Sequence, residues 1–273
     1  MVAASHNMSC KLCGSHRVVK DGLRKGVQRW ECRSCGKKFV DNHAPPGMKT
    51  PAVQIASAIR MYYQGISLNT ICKQLQQNHN NYPSDSAVYS WVNRYTHSQL
   101  ERSKNDRPEV GNTWIVDETG LIISGQQVWI WDVVDTDTCY LLTTLVSLAH
   151  DVKDAQLLIQ KAIEKAGKTP EKVISEKLTE HLKQVNFAIN NPANKNNKRF
   201  MVSSESTSET DLFHSILQRR TSSMTVLKSV DRVIEFANGW LLSYNYFSPQ
   251  EYLCGQTPAE VAKITYRRKN LDY

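Results

Sequence analysis

The alternation of apolar and polar residues changes its period along this chain. Residues 17–20 and 28–31 alternate as short strands do, with glycines between them. Over residues 53–95 the apolar positions recur every three or four residues, which predicts three helices. From Trp114 onwards, strand-like runs return and then alternate with helical segments. The pattern therefore predicts a small strand-rich segment, a helical segment and a larger mixed region.

The mixed region has the predicted order of three strands, helix, strand, helix, strand and helix. The strands are predicted at Trp114–Asp117, Val128–Val134, Tyr140–Val146, Val173–Ser175 and Phe200–Val202, and the helices at Asp154–Ala166, Lys177–Gln184 and Glu209–Arg220. Residues 125–127 are predicted to link the first two strands. This order favours an α/β (α+β) fold with helices on the faces of a mixed sheet. It resembles the ribonuclease-H-like fold.

The helical segment has recognisable boundaries. Gly65 ends its first helix, Ser67 caps the second, and Pro83–Asp85 opens the third. This layout predicts a helix-turn-helix that binds DNA. The candidate DNA contacts on the outer face of the third helix are Tyr89, Asn93 and Arg94. Because the connection Gln76–Tyr82 is long for this motif, a three-helix packing module without DNA contact is the alternative.

The composition is that of a soluble globular protein, with 40% hydrophobic and 22% charged residues. No apolar stretch approaches the ~20 residues that a membrane span needs, and the first residues lack the pattern of a secretory signal. We therefore expect a cytoplasmic, nucleoid-associated protein with no membrane partner. In a reducing compartment the seven cysteines are metal ligands or free thiols before they are disulfides.

The positive charge is concentrated at the N-terminal end. Residues 1–50 hold ten lysines and arginines against three acids, residues 51–110 hold six against four, and residues 111–273 hold eighteen against nineteen. A basic segment on a near-neutral body indicates a module that binds a polyanion, and double-stranded DNA is the predicted partner.

Two C-x-x-C pairs, Cys10–Cys13 and Cys32–Cys35, are separated by eighteen residues. Cys10, Cys13, Cys32 and Cys35 can supply four thiolates to a tetrahedral zinc ion, which predicts a zinc ribbon. Because four cysteines leave no open position, this zinc should be structural. Four unrelated cysteines are the alternative. The basic residues of the ribbon that are predicted to contact phosphates are Lys20, Arg24, Lys25, Arg29, Lys37 and Lys38. Cys72, Cys139 and Cys254 lie in apolar contexts and are predicted to be buried.

Three acids occupy the positions that chemistry on nucleic acids needs. Asp117 and Glu176 each follow an apolar strand, and Asp211 lies in the last predicted helix. In a ribonuclease-H-like layout these carboxylates converge and can hold two divalent ions, Mg²⁺ or Mn²⁺, about 3.5–4 Å apart. Asp132 and Asp135 are interpreted as turn and strand-end acids. Glu118 should alternate away from Asp117 if the strand continues.

The sequence resembles the DDE-type transposases of the family named after insertion sequence six. The motifs that carry the resemblance are Trp114–Thr119, Trp129–Asp135, Gly167–Pro170, Gly239–Leu241, Tyr244–Pro249 and Thr257–Glu260. The resemblance implies a zinc ribbon, a helix-turn-helix and a ribonuclease-H-like core that cuts element ends and joins the 3′ ends to target DNA. It also implies thirty-four residues between the second and third acids, as between Glu176 and Asp211.

The resemblance breaks at two of the three acids. Family members carry aspartate where this chain has Glu176, and glutamate where it has Asp211. Each exchange moves a carboxylate by one methylene, about 1.5 Å, whereas catalytic groups tolerate displacements of roughly 0.5 Å. We therefore expect impaired catalysis. The alternatives are a working transposase, a repurposed or decayed transposase that binds DNA without cutting it, and a pseudogene product without a role.

These segments predict four parts of the chain. Residues 1–43 form the zinc ribbon, residues 44–106 the helix-turn-helix region, residues 107–247 the ribonuclease-H-like DDE domain, and residues 248–273 a C-terminal tail. On DNA, the protein is predicted to act as a homo-oligomer.

Overall fold

The computed structural model describes residues 8–24, 27–40, 50–189, 200–204, 208–224 and 227–264. The first of its parts is a three-stranded antiparallel sheet. Strands β1 (Val18–Arg24), β2 (Val27–Cys32) and β3 (Lys38–Val40) follow one another in space as in sequence. Among the described residues of this part, the buried core consists of Cys10, Cys32 and Phe39. A core of this size cannot hold a fold together without an additional crosslink.

Three helices follow this sheet, namely α1 (Ala52–Tyr63), α2 (Leu68–His79) and α3 (Asp85–Ser103). The Ser67 side chain caps α2, as the sequence predicted, and the Ser84 side chain, within the predicted opening Pro83–Asp85, caps α3. The length predicted for the connection between them is wrong, because α2 continues to His79 before Asn80 turns the chain with a φ of 48°. The buried residues between the helices are Ile55, Ala58, Ile71, Leu75, Val88 and Trp91.

The larger region contains a five-stranded mixed sheet. Its strands are β4 (Thr113–Ile123), β5 (Gln126–Asp135), β6 (Leu141–Ser147), β7 (Lys172–Ile174) and β8 (Met201–Ser203). The spatial order is β6-β5-β4-β7-β8, with antiparallel pairs on one side of β4 and parallel pairs on the other. Helices flank this sheet. The predicted ribonuclease-H-like fold class is confirmed.

The central hairpin is longer than the sequence indicated. Strand β4 continues six residues beyond Asp117, and only Ser124 and Gly125 link it to β5. Both residues have positive φ angles, 50° and 83°, which is the geometry that a two-residue hairpin requires. The prediction that residues 125–127 form the link was wrong, because Gln126 and Gln127 already pair within the sheet.

Helices cover both faces of the sheet. They are α4 (Val152–Ala166), α5 (Thr179–Ile189), α6 (Ser208–Met224), α7 (Val230–Leu242) and the short α8 (Pro258–Val261), and a π-helical turn, Ser243–Phe247, extends α7. Helices α4, α5 and α8 share a core with one face of the sheet, and α6 and α7 share a core with the other. Among the described helices, none combines the length and the apolar composition needed to cross a bilayer.

Alternation along β4 distributes its side chains between these two cores. Trp114 and Val116 point to the core of α4 and α5, whereas Ile115 points to the core of α6 and α7. The second of these cores also contains Tyr63 and Val92, so the three-helix segment packs on the same side of the sheet as α7. At Gly239 of α7, an added Cβ would overlap the Tyr63 side chain. Glycine therefore permits the close approach of α1 and α7.

A buried ion pair connects α6 to β5. Arg220 donates from its two terminal nitrogens to the two carboxylate oxygens of Asp132, at 2.8 and 2.6 Å, and both side chains are fully buried. The Trp240 ring lies 5.0 Å from the guanidinium carbon. The interpretation of Asp132 as a turn or strand-end acid was wrong, because it lies inside β5 and is neutralised by Arg220. Asp135 does end that strand.

Not every cysteine outside the N-terminal cluster of four is buried. Cys72 and Cys139 are partly buried, but Cys254 is exposed. Cys254 has a φ of 54° at the end of a short 3-10 turn, Glu251–Leu253, which places it at the surface. The prediction that all three are buried was therefore wrong.

The ion pair between Asp132 and Arg220 generates a stability prediction. Arg220→Leu should lower the free energy of unfolding by about 3–5 kcal/mol, because it leaves a buried carboxylate without its counter-charge. Urea unfolding followed by circular dichroism measures the loss. Replacing both partners, in Asp132→Leu with Arg220→Leu, should recover most of it.

The matched control is the exposed pair between Lys183 and Glu180. Lys183→Ala should leave the unfolding midpoint unchanged, because exposed ion pairs are screened by solvent. An Arg220→Leu variant as stable as the Lys183→Ala variant would contradict the assignment of a structural role to the buried pair.

Candidate functional site

The backbone positions of the three acids singled out in the sequence lie near one end of the central sheet. Asp117 lies in β4, and Glu176 follows β7. Because β4 and β7 are parallel and Ile115 pairs with Ile174, both acids lie two residues beyond the same pair. Asp211 belongs to the first turns of α6. Asp211 lies one helical turn before His214, whose side chain contacts Asp117.

The carboxylate of Asp117 already has protein partners on both oxygens. His214 Nδ1 lies 2.8 Å from Oδ2, and the Glu118 backbone N–H donates to Oδ1 at 2.8 Å. The Lys177 ammonium lies 4.0 Å from Oδ1. The Asp117 side chain is 15% exposed. The place in front of Asp117 therefore favours positive charge and is reached from solvent.

His214 was not identified from the sequence. A carboxylate only accepts hydrogen bonds, so His214 Nδ1 carries the proton that it shares with Asp117. Gln218, one helical turn further along α6, lies with its Nε2 2.8 Å from His214 Nε2. The signal that could have found His214 is its place three residues after the third acid, on the same side of a helix.

Glu176 and Asp211 are more exposed than Asp117. Both are exposed at the surface. Over the described part of the chain, the three acids do not form a group whose ligand atoms all lie within 4.8 Å of one another. The structure therefore brings their backbone positions to one edge, while the carboxylates themselves are further apart than ligands of one ion.

Neighbouring acids have other partners. Glu118 points to the opposite face of the sheet, where its carboxylate contacts His150 Nε2. The His150 ring in turn packs on Trp129, with 4.2 Å between ring centroids. The expectation that Glu118 alternates away from Asp117 is therefore met. Asp135 accepts hydrogen bonds from the Thr138 backbone and hydroxyl. Neither acid can replace a member of the set.

The donor set at this edge suits a hard divalent cation. Mg²⁺ and Mn²⁺ prefer carboxylate oxygens, and three carboxylates reach the edge from three different elements. The Lys177 ammonium near Asp117 offsets part of the carboxylate charge and would have to move if a divalent ion bound. If such an ion bound here, Asp117, Glu176 and Asp211 would hold it only after their side chains rotated towards one another.

Comparison with known families shows which family this region belongs to. A family model described as a DDE domain matches residues 111–248, slightly more than half of the chain. The chain belongs to this DDE-domain family of transposases. The matched segment contains all three acids together with His214, Lys177 and the buried ion pair.

Retroviral integrases are among the solved structures that resemble the DDE protein. The catalytic core of HTLV-2 integrase, a dimeric form with magnesium, is 14% identical with a TM-score of 0.40, over 57% of this chain and 98% of that one. A simian T-cell lymphotropic virus intasome with a PP2A regulatory subunit is 10% identical with a TM-score of 0.44, over 76% and 72%. The BIV integrase core is 14% identical with a TM-score of 0.38, over 56% and 94%. No curated protein matches the sequence significantly.

The four cysteines of the DDE protein's N-terminal sheet come together. The sulfur atoms of Cys10, Cys13, Cys32 and Cys35 all lie within 4.8 Å of one another. Cys10 and Cys35 are 3.8 Å apart, and Cys13 and Cys32 are 3.6 Å apart. Zinc–sulfur bonds of about 2.3 Å in a tetrahedron place sulfurs at roughly this spacing. The cluster could therefore hold a metal such as zinc.

The backbone around the cysteines forms two similar turns. The Gly14 N–H donates to the Cys10 carbonyl at 2.7 Å, and the Gly36 N–H donates to the Cys32 carbonyl at 2.8 Å. Both glycines have positive φ angles, 74° and 67°. Glycine adopts this conformation without strain.

The basic residues predicted to contact DNA are in different environments. Arg29 and Lys38 form ion pairs with Asp21, at 3.2 and 2.8 Å. Lys20 and Lys37 are exposed. Lys25 and the side chain of Arg24 lie outside the described residues.

The three candidate contacts on α3 are divided between two surfaces. The Tyr89 hydroxyl donates to the Glu235 carboxylate of α7 at 3.1 Å, and the Arg232 guanidinium lies 4.8 Å from the centre of its ring. Asn93 and Arg94 are exposed. The structure therefore separates Tyr89, which faces α7, from Asn93 and Arg94, which face solvent.

The cysteine cluster generates a prediction about metal removal. The full chain should bind about one zinc ion, and chelation should raise hydrogen exchange across β1, β2 and β3 while β4 and β5 stay protected. The reason is that the small sheet has too few buried apolar residues to fold alone. Mass spectrometry of exchanged peptides and a colorimetric zinc assay measure both effects.

The matched variants are Cys32→Ser, which should lose zinc, and Cys254→Ser, which should keep it. Strands β1 to β3 that remain protected after complete metal removal would contradict a stabilising role for the metal.

Proposed function

We propose that this protein is a DNA-binding transposase of DDE descent, which cuts element ends and joins their 3′ ends to target DNA. The observation that carries the proposal is the arrangement of the three acids. The parallel register aligns Asp117 with Glu176, and α6 brings Asp211 within one turn of the residue that contacts Asp117. The three acids come from three elements and lie near one end of the central strands. Such a set of carboxylates suits metal-assisted phosphoryl transfer.

The reaction divides between the divalent ions and the chain. Bound Mg²⁺ or Mn²⁺ would supply activation of the attacking water or 3′-hydroxyl and stabilisation of the leaving oxygen. Asp117, Glu176 and Asp211 would hold the cations. Lys177, half-exposed and close to Asp117, is placed to contact a phosphate of the bound strand.

The exchanged acids lower the expected rate. Glu176 is longer and Asp211 is shorter by one methylene than the acids of similar transposases. A displacement of about 1 Å can reduce the rate roughly a hundredfold. The exposed positions of both side chains allow some adjustment when ions bind. We therefore propose a slow enzyme.

DNA binding is proposed for the N-terminal half. The charge of residues 1–50 favours phosphates, and the exposed Lys20 and Lys37 are available for them. Asn93 and Arg94 on α3 can reach base edges in a helix-turn-helix arrangement. Joining two element ends to one target requires two active sites in one complex, which supports a homo-oligomer on double-stranded DNA.

A second function, DNA binding without catalysis, has a specific observation in its favour. The carboxylates of the three acids do not gather within 4.8 Å over the described residues. Protein groups also form a hydrogen bond with each oxygen of Asp117. A decayed or repurposed transposase would keep this arrangement while losing the ions.

Restoring the usual acid lengths distinguishes the two functions. The double variant Glu176→Asp with Asp211→Glu should cut element-end DNA at least tenfold faster than the parent, since displaced carboxylates cost roughly this much or more. The measurement is a strand-cleavage and strand-transfer assay in Mg²⁺ and in Mn²⁺. Adding Leu212→Arg, which restores the arginine that usually follows the third acid in similar transposases, should increase the rate further.

Two controls complete this assay. Asp117→Ala should abolish cutting while DNA affinity is retained, and Glu180→Asp, at an exposed helix position, should change nothing. Equal rates for the parent and the double variant would show that the acids are wrongly assigned. Selective DNA binding with no cutting by either protein would favour the second function.

The basic ribbon generates a prediction about salt. In the double variant Lys20→Ala with Lys37→Ala, the plot of log affinity against log salt concentration should have a slope that is shallower by about 2. The reason is that each lost phosphate contact removes roughly 0.9 from the slope. Fluorescence anisotropy with a DNA duplex at several salt concentrations measures the slope. Lys183→Ala, which removes an exposed lysine of α5, should leave the slope unchanged. A slope that moves equally in both variants would show that the ribbon is not the site of phosphate contact.

A further inference from the structure

A chain of hydrogen bonds runs from helix α6 to the carboxylate of Asp117. We propose that His214 is a positioning residue, which fixes the Asp117 carboxylate for a divalent cation and is itself oriented by Gln218. This inference rests on the proposed function, because it concerns the same metal site. It adds two residues of α6 to the groups on which that site depends.

The direction of the hydrogen bonds follows from the chemistry of the groups. Asp117 Oδ2 accepts, so His214 Nδ1 donates across the 2.8 Å contact. A neutral imidazole that donates from Nδ1 accepts at Nε2, where the Gln218 amide nitrogen lies at 2.8 Å. Gln218 thereby selects the tautomer that Asp117 needs. A partner on the second ring nitrogen is the usual way in which proteins fix an imidazole.

These hydrogen bonds leave room for a cation. An ionised carboxylate offers about four lone-pair positions. The Glu118 N–H uses one of them on Oδ1, and His214 uses one on Oδ2. The remaining lone pairs are available for metal ligation. The Lys177 ammonium, at 4.0 Å from Oδ1, is too distant for a hydrogen bond and can be displaced.

The position of His214 also sets the third acid. Asp211 and His214 are three residues apart on α6, so the contact with Asp117 determines how far Asp211 lies from the sheet. A second polar contact, between Arg220 and Asp132, holds α6 further along its length. Asp132 pairs directly with Asp117 across β4 and β5. Loss of His214 would therefore leave α6 attached to the sheet through Arg220, while Asp117 would lose its orientation.

Metal affinity tests this role separately from folding and from cutting. The full chain is titrated with Mn²⁺ alone, and binding is followed by electron paramagnetic resonance of the free ion. His214→Ala should weaken Mn²⁺ binding by about 10- to 100-fold, the usual effect of losing a hydrogen-bond partner of a metal ligand. Asp117→Ala should remove the strongest binding altogether.

Two further variants decide between positioning and packing. In His214→Asn the amide nitrogen takes the place of Nδ1, so Mn²⁺ affinity should return to within about threefold of the parent. In His214→Gln the amide nitrogen lies near the place of Nε2, so the affinity should stay close to that of His214→Ala. Ser215→Ala, at an exposed position on the same helix, should bind Mn²⁺ as the parent does. Should His214→Ala not fold, the comparison of His214→Asn with His214→Gln remains decisive.

The possible results separate this inference from the proposed function. Equal Mn²⁺ affinity of the parent and His214→Ala, or equal affinity of the asparagine and glutamine variants, would overturn the positioning role alone. A parent that binds no Mn²⁺ would overturn the proposed enzyme together with this inference. Weak binding by the alanine variant with recovery by asparagine would establish the role.

Discussion

Asp117 and Asp132 lie opposite each other on β4 and β5, and each accepts hydrogen bonds from a different side chain of α6. Apolar packing holds a helix against a sheet but is non-directional, so it does not by itself fix the rotation of the helix. The contacts of His214 and Arg220 do fix it. Because Asp211 is carried by α6, the geometry of the whole candidate site depends on these two polar contacts.

The fold was predictable because each of its elements has a local signal. Strand runs, caps and helical spacing gave the order of the elements and the mixed sheet, although they ended β4 at Asp117, where Glu118 and Thr119 interrupt the apolar run. The continuation of β4 is instead set by its pairing with β5. The positions of the three acids followed from the same order.

The partners of the acids were not predictable, because they are distant in sequence. Arg220 lies 88 residues from Asp132, and His214 lies 97 residues from Asp117. The residues next to an acid in a strand do not show whether the acid ends the strand at the surface or forms a buried ion pair. The same limit applies to Tyr89. Its helical spacing placed it on the outer face of α3, but α7 covers part of that face.

The packing of α7 has a consequence for DNA recognition. Phe236 contacts Tyr62 and Tyr63 of α1, with ring centroids 5.6 and 5.5 Å apart. Contacts between aromatic rings thus join the three-helix segment to the DDE domain. In the proposed complex, a duplex bound by Asn93 and Arg94 would be held in a defined orientation relative to Asp117 and the neighbouring acids.

The contacts that hold α6 against the sheet also affect how the two exchanged acids could bind a cation. A shorter Asp211 could reach a cation bound to Asp117 only if α6 moved towards the sheet, and a longer Glu176 would need that cation to move away from β7. The first movement is opposed by the hydrogen bond of His214 and by the buried contact of Arg220, which fix the spacing between α6 and the sheet. Side-chain rotation at the exposed Glu176 costs far less than a shift of a clamped helix. The glutamate can therefore adapt to the site more easily than Asp211, and in the proposed enzyme the shorter third acid would limit the rate.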